Sequence, residues 1–304
     1  MPQIIDFHTH LGDIFHENKN ITFKTNIKKG NYQDPFLETE ESGYSRPLII
    51  DDEEDLRQLI EAGQKRSWEW TLENMSHEMD KADITYAVVL PVWPNTTFEE
   101  YLAASKLDSR LIVFSTIDYS LDEKQLTDKL QHDIKRGAKG LKLNPTLQNR
   151  SMDHPLTETA IRVFGDADLP IISHVGTNPY YTPDKPFETN PQFSKVECFV
   201  EMAHKFPNYK MVAAHCCTFI EEFAPMVKNL DNVYTDTTMC SANMMKNGVK
   251  LLGEDKILFG SDAPFGRIDY SVQEMAKAFA DEPEIAKKTF YNNAARLMNM
   301  TLIS

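Results

Sequence analysis

The chain has 304 residues, 41% hydrophobic and 26% charged, a globular composition long enough to bury a core without disulfide or metal staples. Its net charge of −14 repels nucleic acid and anionic membrane, so neither is an expected partner; a small anionic substrate stays compatible, because a site answers to its local charges. The four cysteines (Cys198, Cys216, Cys217, Cys240) form no CxxC pair, no apolar run approaches a membrane span, and the first residues lack a basic patch followed by an apolar stretch, so the expectation is a reduced, cytoplasmic protein.

Short apolar, β-branched runs recur along the chain. They are Gln3–His8, Ile84–Val92, Leu111–Ile117, Gly140–Asn144, Pro170–Val175, Lys210–Cys216, Asn232–Thr237 and Lys256–Ser261. Helical spacing fills most gaps, over Phe98–Leu107, Leu121–Arg136, Gln192–Phe206, Ile220–Leu230 and Ser271–Ala280, with Glu284–Met300 closing the chain behind Pro283. Alternating strands and helices imply a parallel sheet. Eight such units in one domain spanning 1–304 predict a (β/α)8 TIM barrel, with a doubly wound sheet as the alternative, since a strand count alone does not establish closure.

One gap is too long. After the first strand, Ser67–Asp83 reads as the usual crossover helix, which leaves Gly12–Gly63 as an insertion rich in Asn, Lys, Asp and Glu. On a barrel it hangs from the catalytic face and reads as a lid or binding loop, with a decorative excursion as the alternative.

Polar residues terminate several of the apolar runs. His8 and His10 are two apart in Asp6-Phe7-His8-Thr9-His10, so strand alternation turns both imidazoles to one face. The same parity gives Asp6, one step deeper, as a partner for a ring N–H, and sends Ile5 and Phe7 toward the covering helices. His174, His215 and Asp262 stand at the ends of the fifth, sixth and eighth runs. In a barrel those ends form one ring, and four histidines with an aspartate there read as a metal site. Nitrogen and carboxylate donors without thiolate suit Zn first, and also Mn, Fe or Ni.

These stretches resemble a known family. DFHTH, GLKLNP, SHVG, AHCC and GSDAPFG, followed by NNAARL in the closing helix, are similar to the amidohydrolase superfamily in its amidohydrolase-2 branch, in the family's order from Ile4 to Met300. The resemblance implies that His8, His10, His174 and Asp262 hold one divalent metal, that Asp262 also shuttles a proton, and that His215 contacts substrate or the reactive water. Lys142 resembles a lysine that some relatives carboxylate to bridge a second metal; the preferred reading is an unmodified cation facing a substrate carboxylate or oxyanion. Family members are often dimers or larger.

Weaker candidates surround these. Trp93 is a candidate pocket wall, with ordinary packing as the alternative. Arg267 is a candidate fork for a substrate carboxylate, with a solvated surface position as the alternative. Asn144 and Asn178 are candidate donors, and Asp236 and Thr238 candidate floor residues. The expected activity is hydrolysis of a small amide, lactone or ester by metal-activated water, the substrate carrying a carboxylate in one reading. The alternative is a metal-dependent, non-oxidative decarboxylase or a hydratase.

Overall fold

The computed structural model describes residues 3–18, 20–182, 184–185 and 187–302. Eight parallel strands follow one another around a barrel. They are β1 (Ile5–Thr9), β2 (Tyr86–Val89), β3 (Leu111–Val113 continuing as Ser115–Thr116), β4 (Leu141–Leu143), β5 (Ile171–Ser173), β6 (Met211–Ala213), β7 (Val233–Asp236) and β8 (Ile257–Leu258). Strand β3 breaks at Phe114, pairing with β2 before the break and with β4 after it. The ring closes between β1 and the chain leaving β8: Phe7 N–H donates to the Phe259 carbonyl at 2.8 Å, Asp262 N–H to that of His8 at 2.8 Å and His10 N–H to that of Ala263 at 2.7 Å. The fold is therefore the (β/α)8 barrel and not an open, doubly wound sheet. The strands are shorter than the apolar runs, and from β2 onward the last residues of the runs leave the ladder to form loops at the barrel mouth.

The first helix, α1 (Leu37–Glu41), is short, and side-chain caps start several of those that follow. Asp52 opens α2 (Glu53–Glu69), Thr71 opens α3 (Leu72–Lys81), and Asp122 forms a reciprocal capping box with Gln125 at the head of the helix Glu123–Lys135. Two crossover helices, Pro155–Asp166 and Ala242–Leu252, were not among the expected segments. The closing helix passes through a π-helical turn at Lys288–Asn292 before Asn293–Leu297. No described helix is long and apolar enough to cross a membrane.

Two apolar layers organise the core. One lies between strands and helices and takes Ile4, Ala87, Val89, Leu141, Ile171 and Met211 together with Met75 and Phe98. The other fills the barrel, where Val88, Phe114, Ile172, Val212 and Leu258 meet Ala294 and Leu297 of the closing helix. Ile5 and Phe7 belong to this inner layer, and Phe7 packs edge-on against Phe114 with ring centroids 5.7 Å apart. That corrects the expectation that they face the helices. The cause is a bulge: Asp6 pairs with Ala87 and Thr9 with Val89, so Phe7 and His8 together oppose Val88. Alternation restarts there. Phe7 enters the floor, His8 enters the site, and Asp6 falls on the opposite face.

The segment after β1 folds against the barrel mouth. Helix α2 runs through the expected boundary at residue 63, so the insertion and the crossover share one helix. Arg66 on α2 is buried with all its donors used. Its Nε donates to Asp34 Oδ2 at 2.6 Å, its Nη1 and Nη2 to the two Glu40 oxygens at 2.9 and 2.7 Å, and Nη1 also to the Phe265 carbonyl at 2.8 Å. One guanidinium thus joins the insertion, α2 and the loop after β8. Burial pushes the Glu40 carboxyl up, against the pull of Arg66. Arg66→Met leaves two buried carboxylates without their cation and should cost about 3–5 kcal/mol of unfolding free energy in chemical denaturation. Loss of hydrogen-exchange protection should centre on residues 34–66; a cost below about 1 kcal/mol would mean the cluster behaves as a surface pair.

Candidate metal centre

Asp236, at the end of β7, organises the site. It is fully buried, and its Oδ2 lies 2.7 Å from His8 Nδ1. Its Oδ1 accepts the backbone N–H of His215 at 2.9 Å and the Thr238 hydroxyl at 2.8 Å. A carboxylate oxygen accepts, so His8 carries its hydrogen on Nδ1 and presents an Nε2 lone pair. His10 is set in the same way, because its Nδ1 lies 2.9 Å from the Leu90 carbonyl, which can only accept. The two Nε2 atoms converge on Asp262 Oδ1, at 3.3 Å from His8 and 3.5 Å from His10. These three ligand atoms lie within 4.8 Å of one another.

Electrostatics keep the histidine donors in their ligating form. Burial first, and the Lys142 charge second, hold His10 and His174 down to about 3. Burial likewise pushes His8 and His215 well below the ordinary histidine range. These rings are therefore neutral at physiological pH, as ligands must be. Burial raises Asp262 well above the usual carboxylate range, with Lys142 opposing. A buried nitrogen–carboxylate trio with fixed tautomers fits a divalent cation.

His174 and His215 form a neighbouring pair. Thr238 gives its hydroxyl hydrogen to Asp236, so His215 Nδ1 donates to Thr238 Oγ1 at 2.7 Å. His215 Nε2 then accepts from His174 Nδ1 at 3.1 Å, and His174 Nε2 accepts from the Tyr180 hydroxyl at 2.8 Å. The chain Tyr180, His174, His215, Thr238, Asp236 thus has one direction. For His174 to offer Nε2 to a metal, Tyr180 would have to release it.

Other expected residues fall elsewhere. Asp6 accepts no ring hydrogen; it binds the backbone N–H of His8 at 3.3 Å and the N–H and hydroxyl of Ser261 at 3.0 and 2.6 Å. The bulge turned it off the histidine face, and Asp236 takes the ring. Burial pushes the Asp6 carboxyl up to about 7. Lys142 is 1% exposed and points its Nζ at His8 Nε2, 3.4 Å away, beneath the histidines and off the cavity wall. Burial lowers its pKa to about 8, against Asp262 and Asp236. Arg267 is not free to fork onto a ligand in the main cavity: its Nε donates to Asp269 Oδ1 at 3.0 Å, its guanidinium stacks on Tyr270, and it lines a separate cavity. Trp93 packs edge-on against Tyr119 and is outside the main cavity's lining.

That cavity, of about 450 Å³, opens above the trio. His10, His174, His215 and Asp262 form one end. Ile14, Phe15, Phe36, Ile60 and Phe265 make its apolar walls, with Asn144 and Asn178 at its side, so much of the lining comes from the segment after β1. Asp236, Thr238, Tyr180 and Gly260 matter more than their sequence signals implied. A Cβ on Gly260 would stand 3.0 Å from His8 Cβ and 3.4 Å from that of Asp236. A strand-end aspartate inside the barrel was the legible signal for Asp236; nothing local marked Tyr180. Asp236→Asn replaces one of the two accepting oxygens by an NH2 donor, so the His8 ring and the His215 N–H can no longer both be accepted, and it should weaken divalent-metal binding about 10–100-fold in a chelator competition. Unchanged affinity would remove Asp236 from that role.

Comparison with known proteins agrees with this architecture. A family model described as amidohydrolase matches residues 5–299. A search of curated proteins returns no match. Among solved structures, a TIM-barrel protein from Bordetella bronchiseptica is 16% identical over 98% of both chains, with a TM-score of 0.66. The 5-carboxyvanillate decarboxylase of Novosphingobium aromaticivorans, complexed with manganese and 4-hydroxy-3-methoxy-5-nitrobenzoic acid, is 16% identical over 98% of this chain and 96% of its own, at 0.63. A probable 2-pyrone-4,6-dicarboxylic acid hydrolase from Acinetobacter baumannii is 12% identical over 98% and 100%, at 0.59. At these identities the likeness carries the fold, while the family model carries membership: the chain belongs to the amidohydrolase family, as a metal-dependent enzyme of that superfamily.

Proposed function

We propose that this enzyme hydrolyses a small, largely apolar amide, ester or lactone. The observation that carries this reading is the pairing of Asp262 with His8 and His10 at the end of a cavity whose described lining offers no unpaired cation. Arg66 is the guanidinium on that wall, and its donors are spent on Asp34, Glu40 and Phe265. A substrate crowded with carboxylates would find nothing to neutralise it, whereas a neutral acyl compound needs only donors and apolar contact. Any single carboxylate would have to lie at the metal end.

His8, His10 and Asp262 would hold the ion, with His174 joining once Tyr180 lets go. Zn suits these donors best, and the manganese complex of the decarboxylase neighbour supports Mn as an alternative. When bound, a divalent cation supplies an acidified water and a polarised carbonyl. Asp262 takes the proton from the attacking water at its carboxylate and returns it to the leaving group. Asn144 faces the cavity and orients the acyl oxygen through its amide N–H, and His215 lines the same end. Ile14, Phe15, Phe36 and Ile60 exclude water from the reacting end, and the segment 12–63 serves as the wall that selects the acyl body.

Decarboxylation is the second reading. Phe265 lies edge-on to His10 at 5.7 Å, and Phe15 packs on Phe265 at 5.5 Å and on Tyr180 at 5.7 Å, a set of faces suited to a flat ring beside the metal end. Burial also favours a protonated Asp262 able to give a proton to carbon. The manganese-bound neighbour, a decarboxylase of an aromatic acid, adds support.

A panel of neutral amides, esters and lactones, run beside carboxylated aromatic acids on metal-loaded enzyme, separates the two. Acyl cleavage without gas is expected; carbon dioxide release from the acids alone would replace hydrolysis with the second reading. In either case Asp262→Asn should lower kcat by about 10²–10⁴-fold, with the ion still measurable in the protein. A retained rate would end the assignment of Asp262 as the proton carrier.

A further inference from the structure

Lys142 sits at the middle of β4, between Leu141 and Leu143, whose side chains pack in the strand–helix layer. Its own side chain goes the other way, into the barrel, and is 1% exposed. The ammonium nitrogen is 3.4 Å from His8 Nε2. The His8 Nε2 atom is also 3.3 Å from Asp262 Oδ1 and belongs to the trio of candidate ligands. His8 already spends its hydrogen on Asp236, so Nε2 has only a lone pair to offer. A single lone pair is thus claimed by an ammonium inside the protein and by any divalent cation that enters the site. The charges acting on Lys142 are those of Asp262 and Asp236, the first of which is a candidate metal ligand and the second its neighbour through His8.

Two cations a few ångströms apart, out of reach of bulk water, repel strongly. Removing the ammonium would leave the carboxylates and the histidine lone pairs to the metal alone. Resting on the metal reading above, we propose that Lys142 is a built-in competitor of the metal. Its ammonium sits against His8 and offsets the charge of Asp262 while the site is empty of metal, weakens the site for a divalent cation, and confines it to one ion. A carboxylated Lys142 would have the opposite sign, adding an anionic ligand, so its removal would weaken binding.

The test is calorimetric titration of the metal-stripped full-length protein with manganese chloride. Lys142→Met is expected to bind Mn about ten-fold more tightly or better, since it removes a unit charge at contact range. Lys142→Gln, which keeps a donor but no charge, should move in the same direction. Lys142→Arg, which keeps the charge, should stay close to the wild type. In thermal unfolding, added Mn should raise the Tm of Lys142→Met more than that of the wild type, because the metal-free variant has lost the cation that offsets its buried carboxylates. Equal or weaker Mn affinity in Lys142→Met, with a wild type that binds, would overturn the proposal. So would two ions per wild-type chain, or an intact-mass signature of a carboxylated Lys142. Absence of Mn binding in every protein would overturn both this proposal and the metal reading.

Discussion

A buried carboxylate at the end of β7 is the constraint on which the rest of the site depends. Asp236 accepts from the His8 ring with one oxygen, and from the His215 backbone and the Thr238 hydroxyl with the other. Each contact decides something different. The first fixes which His8 nitrogen faces the metal end. The second holds His215, which sits at a φ of 70°, at the head of its loop. The third sets the direction of the hydrogen-bond chain through His215 and His174. Asp236 thus ties β1 and β7 to the residues that leave β6 and β7, so the loop ends that carry the donors are fixed by the barrel.

The fold was legible because eight apolar runs repeat with helices between them, and closure is the natural end of such a repeat. The strand-end histidines and Asp262 were legible for a related reason: polar groups at the ends of apolar runs have little packing explanation. What failed was the two-residue period in β1. Alternation correctly put His8 and His10 on one face, because the bulge lies before His8. It misassigned Ile5, Phe7 and Asp6, which lie on the far side of the irregularity. A register shift has no local sequence mark, since it depends on how Val88 and the neighbouring strand pack. The exchange of Asp6 for Asp236 follows from this single error.

The charged candidates show a second limit. Sequence position located Lys142, Arg66 and Arg267 without their counter-ions. Arg267 follows β8 in the expected place, yet Asp269, two residues on, captures it. Arg66 carried no signal at all, being one basic residue in a polar helix, yet it anchors the insertion through Asp34 and Glu40. Cations near a barrel mouth are competed for by the many acids of this chain. Whether one is free for a ligand is a question of three-dimensional accounting that spacing cannot answer.

Those captured cations also explain why the metal end must dominate binding. The apolar walls hold a substrate through area, which is tolerant of shape but carries little orientation. Orientation has to come from the polar end, where His10, His215, Asn144 and Asp262 converge within reach of an ion. Beneath them Lys142 offsets part of the charge of Asp236 and Asp262 inside the barrel. On the proposed reading of Lys142, such a site exchanges one cation for another when the ion arrives, and the empty state keeps a cation facing its buried carboxylates at the expense of metal affinity.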